Sequence, residues 1–275
     1  MRNRLDDYAI DFIFADEKLS DYGLMLCDFN GESMETISTG HHVDFNTVTP
    51  IGLNRFYKTK TKYNEPLSAI FQVCKIPCDT DNVTISVTEE NQIVRWLSQN
   101  DCFHNFKLYQ KGYEDIYFKG AFTSIDEIKI AGRLCGFELT FTTDSSYGYL
   151  DPISLDFITT SNEKYYITDF SNEIGYIYPD VFTCKCLSSG DLVISNSMEN
   201  RKTEIKNCLE NEIISLDGQK KLIFSDNDSH KIYNDFNYDY FRLANTYRNK
   251  ENIITTSIPC EIHIEYSPIR KVGLG

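Results

Sequence analysis

The chain has 275 residues, 41% hydrophobic and 25% charged, which allows two ordinary domains and excludes wholesale disorder. Its formal net charge of −14, spread over both halves, excludes a protein that grips nucleic-acid phosphates through its overall field. With 18 Tyr and 18 Phe beside a single Trp, the aromatic content favours pleated, half-buried strands.

The opening Met1 to Ser20 carries Asp6, Asp7, Asp11, Asp16 and Glu17, so no signal peptide is read. No apolar run approaches the roughly 20 residues of a membrane span. The expectation is assembly in the cytoplasm, with export only as part of something larger. Ile10 to Phe14 starts an apolar segment, and Leu19-Ser20-Asp21-Tyr22-Gly23 predicts a turn into a strand through Leu26. Residues 38–65 are polar, broken by Gly40, His41, His42, Pro50, Gly52 and Asn54, and read as a long loop. Between Asp44 and Glu65 the loop holds Arg55, Lys58, Lys60 and Lys62 and no carboxylate. It is a basic stretch in an acidic protein.

Leu67, Ala69, Phe71 and Val73 predict a strand, and so do Val83, Ile85 and Val87. One helix is expected near 88–100. Thr88 would cap it, Glu89 and Glu90 would sit at the positive end of its dipole, and Ile93, Val94 and Leu97 recur at helical spacing beside Trp96. Trp96 reads as a core anchor. Strand patterns resume at Tyr113 to Phe122 and Phe137 to Thr142. Ser145, Ser146, Gly148 and Pro152 then mark a domain boundary, dividing the chain into residues 1–150 and 151–275.

The second half is nearly all strand pattern. Candidates are Tyr165 to Phe170, Val181 to Leu187 and Leu192 to Ile194, and the strict alternation of Cys260 to Tyr266. Asp217-Gly218 between Ile213 to Leu216 and Leu222 to Phe224 predicts a hairpin. The fold class is therefore mainly β with one helix in the first half, the second half being a β-sandwich.

No hydrolase, zincin, phosphate-loop or dinucleotide motif occurs, and no catalytic residue or cofactor is assigned. The histidines are His41, His42, His104, His230 and His263, none at ligand spacing. The nine cysteines include Cys74 and Cys78, four apart, and Cys184 and Cys186, on one face of a strand. Neither spacing is followed by a matching pair, so reduced core thiols are preferred to a metal site. Tyr233, Phe236, Tyr238, Tyr240 and Phe241, interleaved with Asn and Asp, suit a glycan surface, a protein interface or an ordinary tyrosine-rich strand. Tyr233, Tyr238 and Tyr240 are the candidate docking aromatics.

In order along the chain, several passages resemble the distal tail protein family of siphophages (Dit). Phe12 to Leu24 is similar to its first strand pair, and Ile93-Val94-Arg95-Trp96-Leu97 to its single helix. Phe137 to Tyr149 is similar to the close of its N-terminal domain. Tyr178-Pro179, Ser189-Gly190-Asp191-Leu192-Val193-Ile194-Ser195-Asn196, Glu212 to Gly218, Asn252-Ile253-Ile254 and Tyr266 to Gly273 resemble successive parts of its second half. Lys250-Glu251-Asn252 stands where the family has Gly-Glu-Asn or Gly-x-Asn.

The resemblance implies a non-enzymatic virion protein at the tail tip. Its N-terminal domain, residues 1–150, would form a six-fold ring, and residues 151–275 would be a galectin-like β-sandwich serving as a docking platform. Implied partners are further copies of the chain, the tail tube protein and the tail-tip or receptor-binding apparatus. DNA would pass through the ring without specific binding, along an acidic lumen, and no membrane insertion is expected. Arg55, Tyr57, Lys58, Lys60 and Lys62 would form the inter-subunit arm. A carbohydrate-binding protein acting through the second domain is the alternative.

Overall fold

The computed structural model describes residues 9–29, 41–52, 54–63, 65–76 and 84–274. The chain forms two compact units. The first runs through Tyr149 and takes back the segment from Lys271 onward; the second is Leu150–Arg270. The last residues thus leave the 151–275 division expected from the sequence. The reason is local: Leu274 and Val272 pack into the first unit's core, and the Tyr113 hydroxyl donates to Gly273 O at 2.9 Å.

The first unit is built on an antiparallel sheet. Its strands run Glu17–Lys18, Phe12–Phe14, His104–Leu108, Ile116–Ile130, Arg133–Thr143, Ser68–Lys75 and Leu24–Cys27, in that spatial order. Period-two alternation decides which face is buried. In Ser68–Lys75, Ala69, Phe71 and Val73 turn inward while Ile70 is exposed. The long hairpin of Ile116–Ile130 and Arg133–Thr143 turns through Ala131 and Gly132, both at positive φ (51° and 79°), which matches a two-residue primed turn.

The helix is Val87–Leu97, with Ser86 rather than Thr88 as its cap. Ser86 Oγ accepts from Glu89 N at 3.4 Å, and the Glu89 carboxylate accepts from Ser86 N at 2.7 Å. This reciprocal box was present in the sequence as Ser86-Val87-Thr88-Glu89. It also corrects the strand expected through Val87, which opens the helix and is exposed. Val83 lies outside the described residues. Lys75 hydrogen-bonds Glu89 at 2.7 Å and, with the Ser86 backbone, lowers its carboxyl to about 2.

Trp96 is buried at the centre of this unit. It stacks on Tyr22 at 4.4 Å and on Phe12 at 5.8 Å, and its indole N–H donates to Phe14 O at 3.0 Å. Phe14, Phe106, Phe122 and Phe141 continue the aromatic layer, Phe106 stacking on Phe141 at 4.4 Å.

The second unit is a two-layer sandwich. One sheet orders Ile153–Thr159, Cys260–Tyr266, Val181–Cys186, Ile213–Asp217 and Leu222–Ser225. The other orders Tyr165–Thr168, Glu251–Thr256, Gly190–Asn196 and Lys202–Cys208. Inward side chains of both sheets share one core. The Asp217-Gly218 hairpin forms as expected, with Asp217 opposite Leu222 and its carboxylate accepting from Gln219 N and Lys220 N. A single helical turn, Ile232–Asp235, adds a short helix that the sequence reading lacked.

Replacing Trp96 by Phe removes the indole donor and is expected to cost about 1–3 kcal/mol, while Trp96→Ala costs about 3–5 kcal/mol. Urea unfolding followed by far-ultraviolet circular dichroism gives both values. Equal costs for the two variants would remove the packing role assigned to the ring.

Candidate functional site

The basic stretch is not a loop. Val43–Val48 and Tyr57–Tyr63 pair antiparallel as a separate two-stranded sheet, with Val43 opposite Tyr63 and Val48 opposite Tyr57. The second strand reads Tyr-Lys-Thr-Lys-Thr-Lys-Tyr, and this alternation was the signal that the polar composition masked. Polarity says that a segment is solvated, and a strand can be solvated on both faces.

Lys58, Lys60 and Lys62 lie along this strand, with Arg55 just before it. The Lys58 ammonium sits 4.5 Å over the Phe45 ring, and the Arg55 guanidinium 5.7 Å over Tyr57. The apolar side chains are unusually open: Phe45 is 57%, Val48 52% and Phe56 75% exposed. A lone two-stranded hairpin is marginal in water. This one carries exposed aromatics and cations that another surface could cover.

The aromatic cluster of Tyr233 to Phe241 is divided by the fold. Tyr233 and Tyr238 are exposed, and the Tyr238 hydroxyl donates to Tyr233 O at 2.8 Å. Tyr240 is only 3% exposed, packed edge-on against Phe236 at 5.0 Å with Lys221 over its ring. Phe236 and Phe241 are buried too. Tyr240 is therefore a core residue and not a docking aromatic; the turn through Tyr238, at φ 62°, swings the chain back inward.

The same unit holds two cations stacked on tyrosine faces. Arg242 stacks over Tyr176 at 3.5 Å and hydrogen-bonds Glu199 at 2.8 Å, while Lys221 sits 3.9 Å over Tyr178. In the first unit an open cleft of about 880 Å³ lies beside the helix, lined by Glu17, Asp21, Tyr22, Glu89, Arg95 and Trp96. Its carboxylates are engaged: Glu17 accepts from Tyr22, Asp21 from Lys18 N, and Glu89 from Lys75 and Ser86.

Family models for a phage tail protein N-terminal domain and a phage tail C-terminal domain match residues 8–145 and 147–266. The chain belongs to this phage tail protein family. Among solved structures, the tail protein is similar to the SPP1 Dit (gp 19.1) protein, a paradigm of the hub adsorption apparatus of phages infecting Gram-positive bacteria. The TM-score is 0.63 at 11% identity, covering 94% of this chain and 99% of that chain. It is also similar to a chain of the phage P2 baseplate in its activated conformation with Ca (TM-score 0.45, 10% identity, 94% and 98% covered). The phage p2 baseplate with Sr gives a TM-score of 0.44 at 10% identity, with the same coverage. No curated protein sequence matches. The tail protein is thus Dit-like in fold over nearly its whole described length.

Two buried polar features of the tail protein escaped the sequence reading. Asn252, fully buried, accepts from Ala244 N and Asn196 Nδ2, each at 2.8 Å, and donates to Ala244 O. Both asparagines lie in passages that carried the Dit resemblance, and the fold brings them together across 56 residues.

The second is Glu212 with His230. Glu212 is buried, and its carboxylate lies 2.5 Å from His230 Nδ1, accepts from Ser225 Oγ at 2.5 Å and takes Leu209 N at 2.8 Å. His230 Nε2 lies 3.3 Å from Asp235 Oδ2 but is not aligned for a hydrogen bond. Burial opposes the imidazolium, but the hydrogen bond and charge of Glu212 outweigh it and hold His230 above its ordinary value. A single histidine 18 residues from its carboxylate leaves no pattern in sequence.

A histidine raised in the folded state stabilises fully below the unfolded value of about 6.5, and that contribution is lost as pH rises through the folded value. Accordingly His230→Gln should destabilise the protein by about 2–3 kcal/mol at pH 6 and by less at pH 9. Urea midpoints at the two pH values measure this; a gap that does not narrow toward pH 9 contradicts it.

Proposed function

We propose that this tail protein is a structural component of the distal tail, closing into a six-fold ring that joins the tail tube to the tail-tip or receptor-binding apparatus. The single observation that carries the ring is the separate hairpin of Val43–Val48 and Tyr57–Tyr63. Among the described residues this strand pair has no third strand, and with open aromatics and four cations on a chain of net charge −14 it has a natural counterpart in a neighbouring copy. Head-to-tail contacts of this kind close into rings. The Dit fold over 94% of the chain supports the distal position.

In this reading Arg55, Tyr57, Lys58, Lys60 and Lys62 form the inter-subunit arm, and the second unit is a galectin-like sandwich that projects as a docking platform. The role is non-enzymatic and needs no cofactor. An acidic lumen would let DNA pass without gripping it. The protein would be assembled in the host cytoplasm and reside at the virion tail tip. Among the described residues no helix is long and apolar enough to cross a membrane.

One observation favours a second reading. Tyr233 and Tyr238 stand open side by side and could stack on a sugar of the host cell wall. Binding of the full chain to a glycan array, lost in a Tyr233→Ala/Tyr238→Ala variant, would support it; no binding would leave the pair as a protein-docking surface.

Light scattering of the purified chain at moderate salt should give the mass of a hexamer. Reversing Arg55 and Lys58 to Glu should raise the concentration at which it dissociates by about tenfold or more, and high salt should do the same to the unaltered protein. A hexamer indifferent to both would dissociate the hairpin from ring closure.

A further inference from the structure

Spacing along the chain left Cys184 and Cys186 as an isolated pair. The fold supplies the rest. Cys184 and Cys186 point into the core from Val181–Cys186. Cys260 begins Cys260–Tyr266 and stands directly opposite Cys186 in the antiparallel register. Cys208 ends Lys202–Cys208 in the facing sheet, its thiol beside that of Cys186. All four are free thiols no more than 1% exposed. The sulfurs of Cys184, Cys186 and Cys260 lie within 4.8 Å of one another.

We propose that Cys184, Cys186, Cys260 and Cys208 form a closed thiolate site for a zinc ion that ties the two sheets of the second unit together. Zinc–sulfur bonds of about 2.3 Å place tetrahedral ligand sulfurs roughly 3.8 Å apart. The three sulfurs already approach that spacing, and Cys208, beside Cys186, would draw in as the fourth ligand when the ion binds. The donor set is sulfur alone, which selects a soft ion and not magnesium, calcium or manganese. A site sealed from water on every side is structural and leaves no position for substrate.

Protons balance simply. In the metal-free form Cys260 donates to Ile258 O at 3.3 Å and Cys208 to Ile205 O at 3.4 Å. Zn(II) displaces four thiol protons to solvent and is held by four thiolates, with no change of oxidation state. Because the sulfurs are buried, the ion enters while the strands pair, and its binding energy becomes folding energy.

The test uses the full chain, produced in zinc-supplemented medium and purified without chelator. Elemental analysis should find about one zinc per chain, released by a chelator only when denaturant is added. Refolding with Co(II) should give the sulfur-to-cobalt charge-transfer bands and intense visible bands of a tetrahedral thiolate site. Cys27→Ser should retain them, and Cys186→Ala/Cys260→Ala should lose them. Fewer than about 0.1 ion per chain, both as isolated and after refolding with Zn(II) or Co(II), overturns the site whether or not the variants fold. So does retention of the cobalt bands in the double variant.

Discussion

Both units depend on one constraint: alternate side chains of antiparallel strands must meet in a single apolar layer. In the first unit that layer is aromatic, with Phe12, Phe14, Phe106, Phe122 and Phe141 gathered around Trp96. In the second it is mainly aliphatic and sulfur-rich, with aromatics such as Phe182 and Phe241 among them, and drawn from two sheets. A slip of one residue in any strand would turn its whole inner row to solvent, so the register is tightly held wherever one face is buried. Everything that recognises a partner must then be built from what this rule leaves outside.

The hairpin of Val43–Val48 and Tyr57–Tyr63 is the element that the rule does not govern. Its side chains contribute to neither core among the described residues. Cation–π contacts of Lys58 and Arg55 organise its surface but bury little of it. It combines exposed apolar area with the charge opposite to that of the chain, the combination expected of a segment completed by another molecule.

Polar groups inside the second unit do a different job. The Asn252 side chain makes both hydrogen bonds of a backbone partner to Ala244, and Asn196 joins it to Gly190–Asn196. Glu212 links the segments around Leu209, Ser225 and His230. A buried polar group left unpaired costs more than a satisfied one contributes, so such networks fix one arrangement of the connections between strands. The four thiols lie in the same layer, where cysteine packs as a small apolar side chain and also offers a soft donor.

Local periodicity was enough to determine the β class, the helix around Trp96, the Asp217-Gly218 hairpin and the inner faces of strands such as Cys260–Tyr266. These features depend on residues two to four positions apart, which the sequence displays directly. The ordered series of passages was enough to suggest a distal tail protein, and the tail family and the Dit fold agree with it. The capping box at Ser86 was also legible, but it was hidden by a short alternation that imitated a strand. Other features were decided only by the tertiary structure. The return of Leu274 to the first unit, the burial of Tyr240 beside exposed Tyr238, the pairing of Glu212 with His230 and the convergence of Cys184, Cys186, Cys208 and Cys260 all join residues across turns or between strands. Their partners are set by sheet register and chain reversal, and neither quantity is carried by the spacing of residues along the chain.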